Sequence, residues 1–387
     1  MLRVADIIQA GTPAYLDHFG ERILPSHRRV LGAVCACRTS AMGGHLLQCD
    51  NPECGDQVFR YHSCGNRHCP RCHRARTARW IGKWMDRLLP VPYYLLTFTL
   101  PRELRSLARS KQKVVYAAMM RASALAVQDL AADSKWVGAT LGLLSILHTW
   151  TRSMAYHPHV HILATAGGLG IDDQGNPVWR DPSNPRFLMP GYILSKIYRS
   201  EMRRLLCQEG LLAEIDPSTW TTKWVVHAQH AGNGSRVLRY LARYLDRVAI
   251  SDARIVSFVD ASDAHDARVT FCWKDRQHGS EQRMTLPLLE FMARYLQHVL
   301  PAHFPKVRAY GLFASATRGQ LDTARNLLRD FDPVIPAEPQ PQLIDEPRHD
   351  RCCKACTIGQ YRIIASFEPL LSPECSSQPE TASRAPP

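Results

Sequence analysis

Seven of the chain's 13 cysteines lie between residues 35 and 73, and this clustering limits what the N-terminal part can fold into. Cys49 and Cys54 make one pair and Cys69 and Cys72 a second, with Gly55 after the first and Pro70 inside the second. Two such pairs on tight turns can converge four thiolates on one tetrahedral Zn2+. The N-terminus reads as carrying no export signal, so the thiols are expected to stay reduced, which argues for metal thiolates before disulfides. The expected structural zinc set is therefore Cys49, Cys54, Cys69 and Cys72. Cys64, His62, His68 and His73 are candidates to replace a ligand or to build a second site. Cys35 and Cys37 are read as outside the site, because a single intervening residue rarely suits one tetrahedral ion.

Charge adds a partner class. The 387-residue chain has a net charge of +13, which favours a polyanion, nucleic acid before a membrane surface. No apolar run approaches the ~20 residues of a membrane span. No Asp or Glu occurs between Asp56 and Asp86, a stretch holding Arg60, Arg67, Arg71, Arg74, Arg76, Arg79 and Lys83. So one-signed a run beside a zinc module reads as a phosphate-tracking face, with Arg67, Arg71, Arg74 and Arg76 as DNA-binding candidates.

The segment His157-Pro158-His159-Val160-His161-Ile162-Leu163 follows strand alternation. His159 and His161 share one face while Val160 and Ile162 point into a core. Two imidazoles on one face can chelate an ion if a third ligand joins them. His148, in the preceding strand segment, is the first choice and His157 the second. Open positions on such a site suit Mg2+ or Mn2+ carrying a substrate phosphate.

Residues 234–249 carry helical periodicity, with Val237, Leu238, Leu241, Leu245 and Val248 in one sector and Arg239, Arg243 and Arg247 opposite. Tyr240 and Tyr244 lie between the stripes. Two phenols on adjacent turns beside guanidiniums fit a helix facing a phosphate cleft. They also fit two boundary tyrosines that cap a core.

The chain divides into a helical segment at 1–34, a zinc-binding, DNA-contacting module at 35–90, an α+β core at 91–331, and a proline-rich linker with a largely disordered tail at 332–387. In the core, 93–101, 141–150, 159–166 and 224–230 read as strands. Residues 103–132, 190–213 and 288–300 read as helices.

The blocks CRTSAMGGHLLQCDNPECG, CGNRHCPRC, ILHTW, HPHVHIL, VLRYLARYLDRVAIS, VTFCWKDRQHG and RAYGLFA, in that order, resemble the HUH-type rolling-circle transposases of the insertion sequence 91 group and related common-region elements. The resemblance spans about residues 25–315. It implies an HUH nuclease core, a central antiparallel sheet flanked by helices, preceded by the small zinc module. It implies His159 and His161 as the metal-binding HUH pair with His148 as third ligand, and Tyr240 and Tyr244 as nucleophiles, the two-tyrosine branch. Arg239 and Arg243 join the DNA-binding candidates. Phe98–Leu100 resembles the first replication-initiator motif, and Cys353 and Cys356, beside Cys352, the remnant of a C-terminal zinc knuckle. One pair cannot close a four-ligand site alone.

The implied activity is nicking and rejoining of single-stranded DNA at element ends through a 5′-phosphotyrosine, by a cytoplasmic, nucleoid-associated bacterial protein using structural Zn2+ and catalytic Mg2+ or Mn2+. The rivals are a plasmid relaxase or replication initiator with the same chemistry, and a non-catalytic zinc DNA-binding regulator. The leading zinc module and the absence of a GxxxxGK[ST] loop favour the transposase.

Overall fold

A computed structural model describes residues 2–72, 74–184, 188–239, 249–261, 263, 265–274, 279–329 and 352–369. The described elements are mixed helices and antiparallel sheets, the α+β class expected.

The central sheet is built from the apolar, β-branched and aromatic runs the sequence offers. It contains β3 (Pro92–Thr99), β4 (Thr140–Trp150), β5 (Tyr156–Ile171), β7 (Val226–Asn233) and β11 (Val307–Gly311), in the order β11-β4-β5-β3-β7, with β6 (Pro177–Arg180) paired to the far end of β5. All these pairings are antiparallel.

Alternation divides each strand between two cores. Tyr94, Leu96 and Phe98 of β3, Leu143 and Leu147 of β4, and Val160 and Ile162 of β5 pack with the long helices α5 (Gln112–Ala132) and α6 (Gly191–Gln208). Tyr93, Leu95, Leu144, Ile146 and Leu163 face the other way. They pack with Val237 and Leu238, Phe313, and Leu321 and Ala324 of α8 (Arg318–Leu327). Helices on both faces explain why β4 is buried from Leu141 through Thr149 rather than alternating wet and dry. The short helix α4 (Arg105–Ser110) leads into α5.

The N-terminal helices α1 (Val4–Phe19) and α2 (Pro25–Ala36) pack against elements from late in the chain. Ile7, Ile8, Leu31 and Val34 share a core with Phe271 of β9 (Arg268–Lys274) and with Phe291, Met292 and Tyr295 of α7 (Leu288–Leu296). β9 lies between β8 (Ile255–Val259) and β10 (Glu281–Pro287) in a three-stranded sheet.

The third sheet departs from the expected organisation. β1 (Gly44–Cys49) pairs with β2 (Gln57–Tyr61) on one side and with β12 (Tyr361–Phe367) on the other. β12 comes from the segment expected to be a disordered tail. Its apolar and β-branched run YRIIASF satisfies its backbone groups on the open edge of β1. Helix α3 (Arg74–Met85) follows the module and seats Trp84 under the central sheet.

Candidate functional site

Three histidines meet on the face of the central sheet shared with Leu144, Ile146 and Leu163. His148 of β4 and His159 of β5 are direct cross-strand partners, and His161 stands two residues further along β5 opposite Ile146 and Thr97. One ligand nitrogen from each of the three lies within 4.8 Å of the others. The ring centroids of His148 and His161 are 4.6 Å apart, and those of His159 and His161 4.8 Å.

Each ring is held from outside. The Nδ1–H of His159 donates to the His157 carbonyl at 2.7 Å, so its lone pair sits on Nε2. The Nδ1 of His161 meets the Thr97 hydroxyl at 2.9 Å. His148 stacks on Trp150, centroids 5.4 Å apart, and is 2% exposed. Burial, then the neighbouring His161 and His159 rings and Lys306, hold His148 well below the ordinary imidazole range. A neutral imidazole is the ligand form. Three nitrogens on one sheet face with outer hydrogen bonds form a donor set that fits a divalent ion. His157, the second-choice ligand, stands outside this group, and its Nδ1 pairs with Arg105 at 2.8 Å.

Residues 234–239 are helical and lie on this same face, where Val237 (8% exposed) and Leu238 (0%) join Tyr93, Leu95 and Leu163. Burying two such side chains contributes roughly 1.5–3 kcal/mol each. Gly234 permits the approach, since a Cβ there would stand 2.8 Å from the Tyr93 ring. Arg239 donates to the Ser235 hydroxyl at 3.1 Å. Tyr240, Arg243 and Tyr244 lie outside the described residues.

The cysteines form two groups of four, and neither is the expected set. Cys69 and Cys72 converge with Cys37 and Cys64, while Cys49 and Cys54 converge with Cys353 and Cys356. The expected set of Cys49, Cys54, Cys69 and Cys72 is divided between them. In the first group Cys72 Sγ lies 3.2 Å from Cys37 Sγ and 3.5 Å from Cys64 Sγ. Hydrogen bonds from Cys37, Cys64 and Cys69 hold the Cys72 thiol far below its usual range. Cys37 enters because it caps the end of α2, while Cys35, two residues back and still within the helix, turns aside to Thr12. His68, an alternative ligand, is buried and bonded to the Tyr295 carbonyl at 3.0 Å. In the second group the amide N–H groups of Gly359 and Ile358 push the Cys356 thiol down to about 6. Four thiolates per group match the donor chemistry of structural zinc.

Two of the arginine candidates are committed to the fold. Arg67 donates to the carbonyls of Phe304 (2.5 Å) and Pro301, and Arg71 pairs with Asp6 at 2.6 Å while donating to the Cys37 carbonyl at 3.1 Å. Guanidiniums this engaged, beside a module with few acids, are structural ties. Arg74 and Arg76 fall on α3, and their side chains are outside what the structure describes.

Sequence reasoning missed Thr97, whose only signal was its place in the alternating run TFT opposite His161. It also missed Trp150, two residues beyond His148 on the same face.

Residues 142–320 match a family model described as a putative transposase, and residues 7–100 match one described as a transposase zinc-binding domain. The chain is 33% identical over 96% of both lengths to a putative transposase of Sinorhizobium fredii. It is 29% identical to the transposase for insertion sequence element IS801 of Pseudomonas savastanoi pv. phaseolicola, covering 74% of this chain and 70% of that one. No solved structure matches the chain.

Proposed function

The chain belongs to the insertion sequence 91 family of transposases, and on that premise we propose that it is an HUH-type enzyme that nicks and rejoins single-stranded DNA at its element's ends. The observation that carries this reading is the convergence of His148, His159 and His161 on the sheet face where residues 234–239 pack. The matched N-terminal domain is zinc-binding, and structural zinc has thiolate ligands there.

The three histidines would hold a divalent ion that polarises a non-bridging oxygen of the scissile phosphate. Imidazole donors suit Mn2+ better than Mg2+, which prefers an all-oxygen shell. Thr97 and the His157 carbonyl keep the rings of His161 and His159 aimed.

Tyr240 or Tyr244 is the nucleophile in this reading. Its phenolic oxygen bonds to phosphorus and gives up its proton, while the P–O3′ bond breaks and the 3′ oxygen gains one. A phosphodiester is exchanged for a phosphodiester, so rejoining requires no ATP. Reversal by a 3′ hydroxyl returns the tyrosine. Two tyrosines four residues apart allow one to hold a strand end while the other acts. Arg74, Arg76, Arg239 and Arg243 supply phosphate contacts, and through them the salt dependence of binding. The nuclease core is proposed to span residues 91–331.

The test is incubation of the full chain with labelled single-stranded element ends and Mn2+, followed by denaturing electrophoresis. A covalent protein–DNA band that maps to Tyr240 or Tyr244 supports the reading. Intact DNA, or an adduct elsewhere, overturns it.

A further inference from the structure

The matched zinc-binding segment, residues 7–100, contains six of the eight clustered cysteines. Four of the six, Cys37, Cys64, Cys69 and Cys72, form a complete group by themselves. Cys49 and Cys54 remain, and two thiolates cannot close a tetrahedral site. Their missing partners come from far beyond the matched segment. Cys353 and Cys356 approach them from the loop that precedes β12.

We propose that the chain carries a second tetrathiolate zinc site, Cys49–Cys54–Cys353–Cys356, which clips the end of β1 to the loop before β12 and so joins two distant segments into one ribbon.

The distances fit zinc. Cys49 Sγ to Cys356 Sγ and Cys54 Sγ to Cys353 Sγ are each 3.7 Å. Ligands about 2.3 Å from zinc stand about 3.8 Å apart at the corners of a tetrahedron. A disulfide needs sulfurs about 2.05 Å apart, and pairing two of the four would leave the others unexplained.

The surrounding backbone is shaped for thiolates. The N–H of Asn51 donates to Cys49 Sγ at 3.4 Å and that of Gly359 to Cys356 Sγ at 3.3 Å. Residue 359 must be small, because a Cβ there would collide with Cys49 Sγ. Thr357 takes a left-handed φ of 58° to turn the loop back, and its N–H bonds the Cys353 carbonyl at 2.9 Å. Asp50 closes the outside, accepting from the Gln360 N–H at 2.7 Å and pairing with Arg362 at 3.0 Å.

The ribbon's apolar core is small. Its buried core is Leu47, Cys49, Cys353 and Tyr361, and β12 is exposed from Arg362 through Ser366. So small an apolar cluster does not hold a three-stranded sheet, and small modules of this kind are stabilised by a metal. Four thiols lose their protons as Zn2+ binds, so folding of the ribbon releases protons and depends on zinc.

This inference is independent of the strand-transfer reading, because its readout is zinc and not DNA. The full chain carrying His159→Ala and His161→Ala, so that the histidine group holds no zinc, should after purification with zinc and desalting carry two zinc ions by elemental analysis and native mass spectrometry, and the cysteine variants are counted in the same background. Cys356→Ser and Cys353→Ser should each carry one, and so should Cys69→Ser. A wild-type measurement avoids variants that fail to fold. Zinc-loaded protein is alkylated with and without a strong chelator and the modified cysteines are mapped. Chelation should raise the alkylation rate of Cys49, Cys54, Cys353 and Cys356 together by more than tenfold, while the exposed Cys207 reacts at one rate throughout. One zinc per chain with all its cysteines in that background, or Cys353 and Cys356 reacting as fast with zinc as without, overturns the site.

Discussion

His148 and His159 face each other across the β4–β5 ladder, ring centroids 5.2 Å apart and nearly perpendicular, so a residue chosen for one strand sets the chemistry available to the next. Replacing either with Ala removes one of the three nitrogens proposed as ligands. The expected outcome is a loss of DNA adduct of more than about 100-fold, since even an outer-partner change around a metal costs about 10–100-fold. Binding to single-stranded DNA should remain, because arginine–phosphate contacts supply it. Gel shift and adduct yield, measured on the same preparation, check both parts.

Thr97→Val is a finer probe. It keeps the strand and its packing but removes the hydroxyl 2.9 Å from His161 Nδ1. Half-saturation for Mn2+ in the cleavage assay should rise by about 10–100-fold, with activity largely restored at high metal. An unchanged metal dependence would show that the hydroxyl does not orient the ring.

Tyr240→Phe and Tyr244→Phe should each stop complete transposition. At least one single variant should still form a covalent adduct with a labelled end, and the double variant none. Mass spectrometry of the adduct peptide decides which phenol is used first.

Arg67→Ala should lower thermal stability. It strips the part-buried carbonyls of Phe304 and Pro301 of a charged donor, which costs on the order of 1.5–3 kcal/mol. The slope of DNA affinity against salt should be nearly unchanged. Arg239→Ala should shift the binding side instead, reducing that slope by about one phosphate contact.

The pH dependence of stability follows from buried histidines. Burial, partly offset by the Met154 carbonyl, lowers His298 to about 3. Burial, then Arg109, lowers His27 to about 4. For both the folded value lies below the ordinary 6.5, so the neutral form is the one folded. Their contribution is fully present above pH 6.5 and is lost progressively as pH falls toward 3 to 4. Melting temperature should therefore drop steeply from pH 6.5 to 4.5, and His298→Gln, which cannot titrate, should flatten the slope.

The residues differ in how much the sequence betrays them. Strand alternation put His159 and His161 on one face because the period of two is local, and the structure keeps them there. The cysteine groups needed more than spacing. Cys35 and Cys37 look equivalent by separation, yet the end of α2 falls between them and turns only Cys37 to Cys72. Cys353 and Cys356 read as a remnant because nothing near them in sequence completes the set. Their partners are supplied by the register of β12 on β1, from Gly44 opposite Phe367 to Cys49 opposite Tyr361. Arg67 and Arg71 follow the same rule. A run of positive charge states composition, whereas the carbonyls and the aspartate that take up two of its members come from the segment after α7 and from α1.

The pairing of β1 with β12 also sets a clock on synthesis. Cys49 and Cys356 are 307 residues apart, so at about 5–20 residues per second a ribosome makes β1 roughly 15–60 s before its second neighbour exists. During that interval β1 and β2 are a two-stranded hairpin, a marginal structure in water with one edge open. A transcript cut short before codon 353 leaves that edge open permanently and half a set of thiols unmated. Completion of the ribbon thus requires translation almost to residue 370, and a chain ending earlier presents an open strand edge of the kind that pairs with other chains.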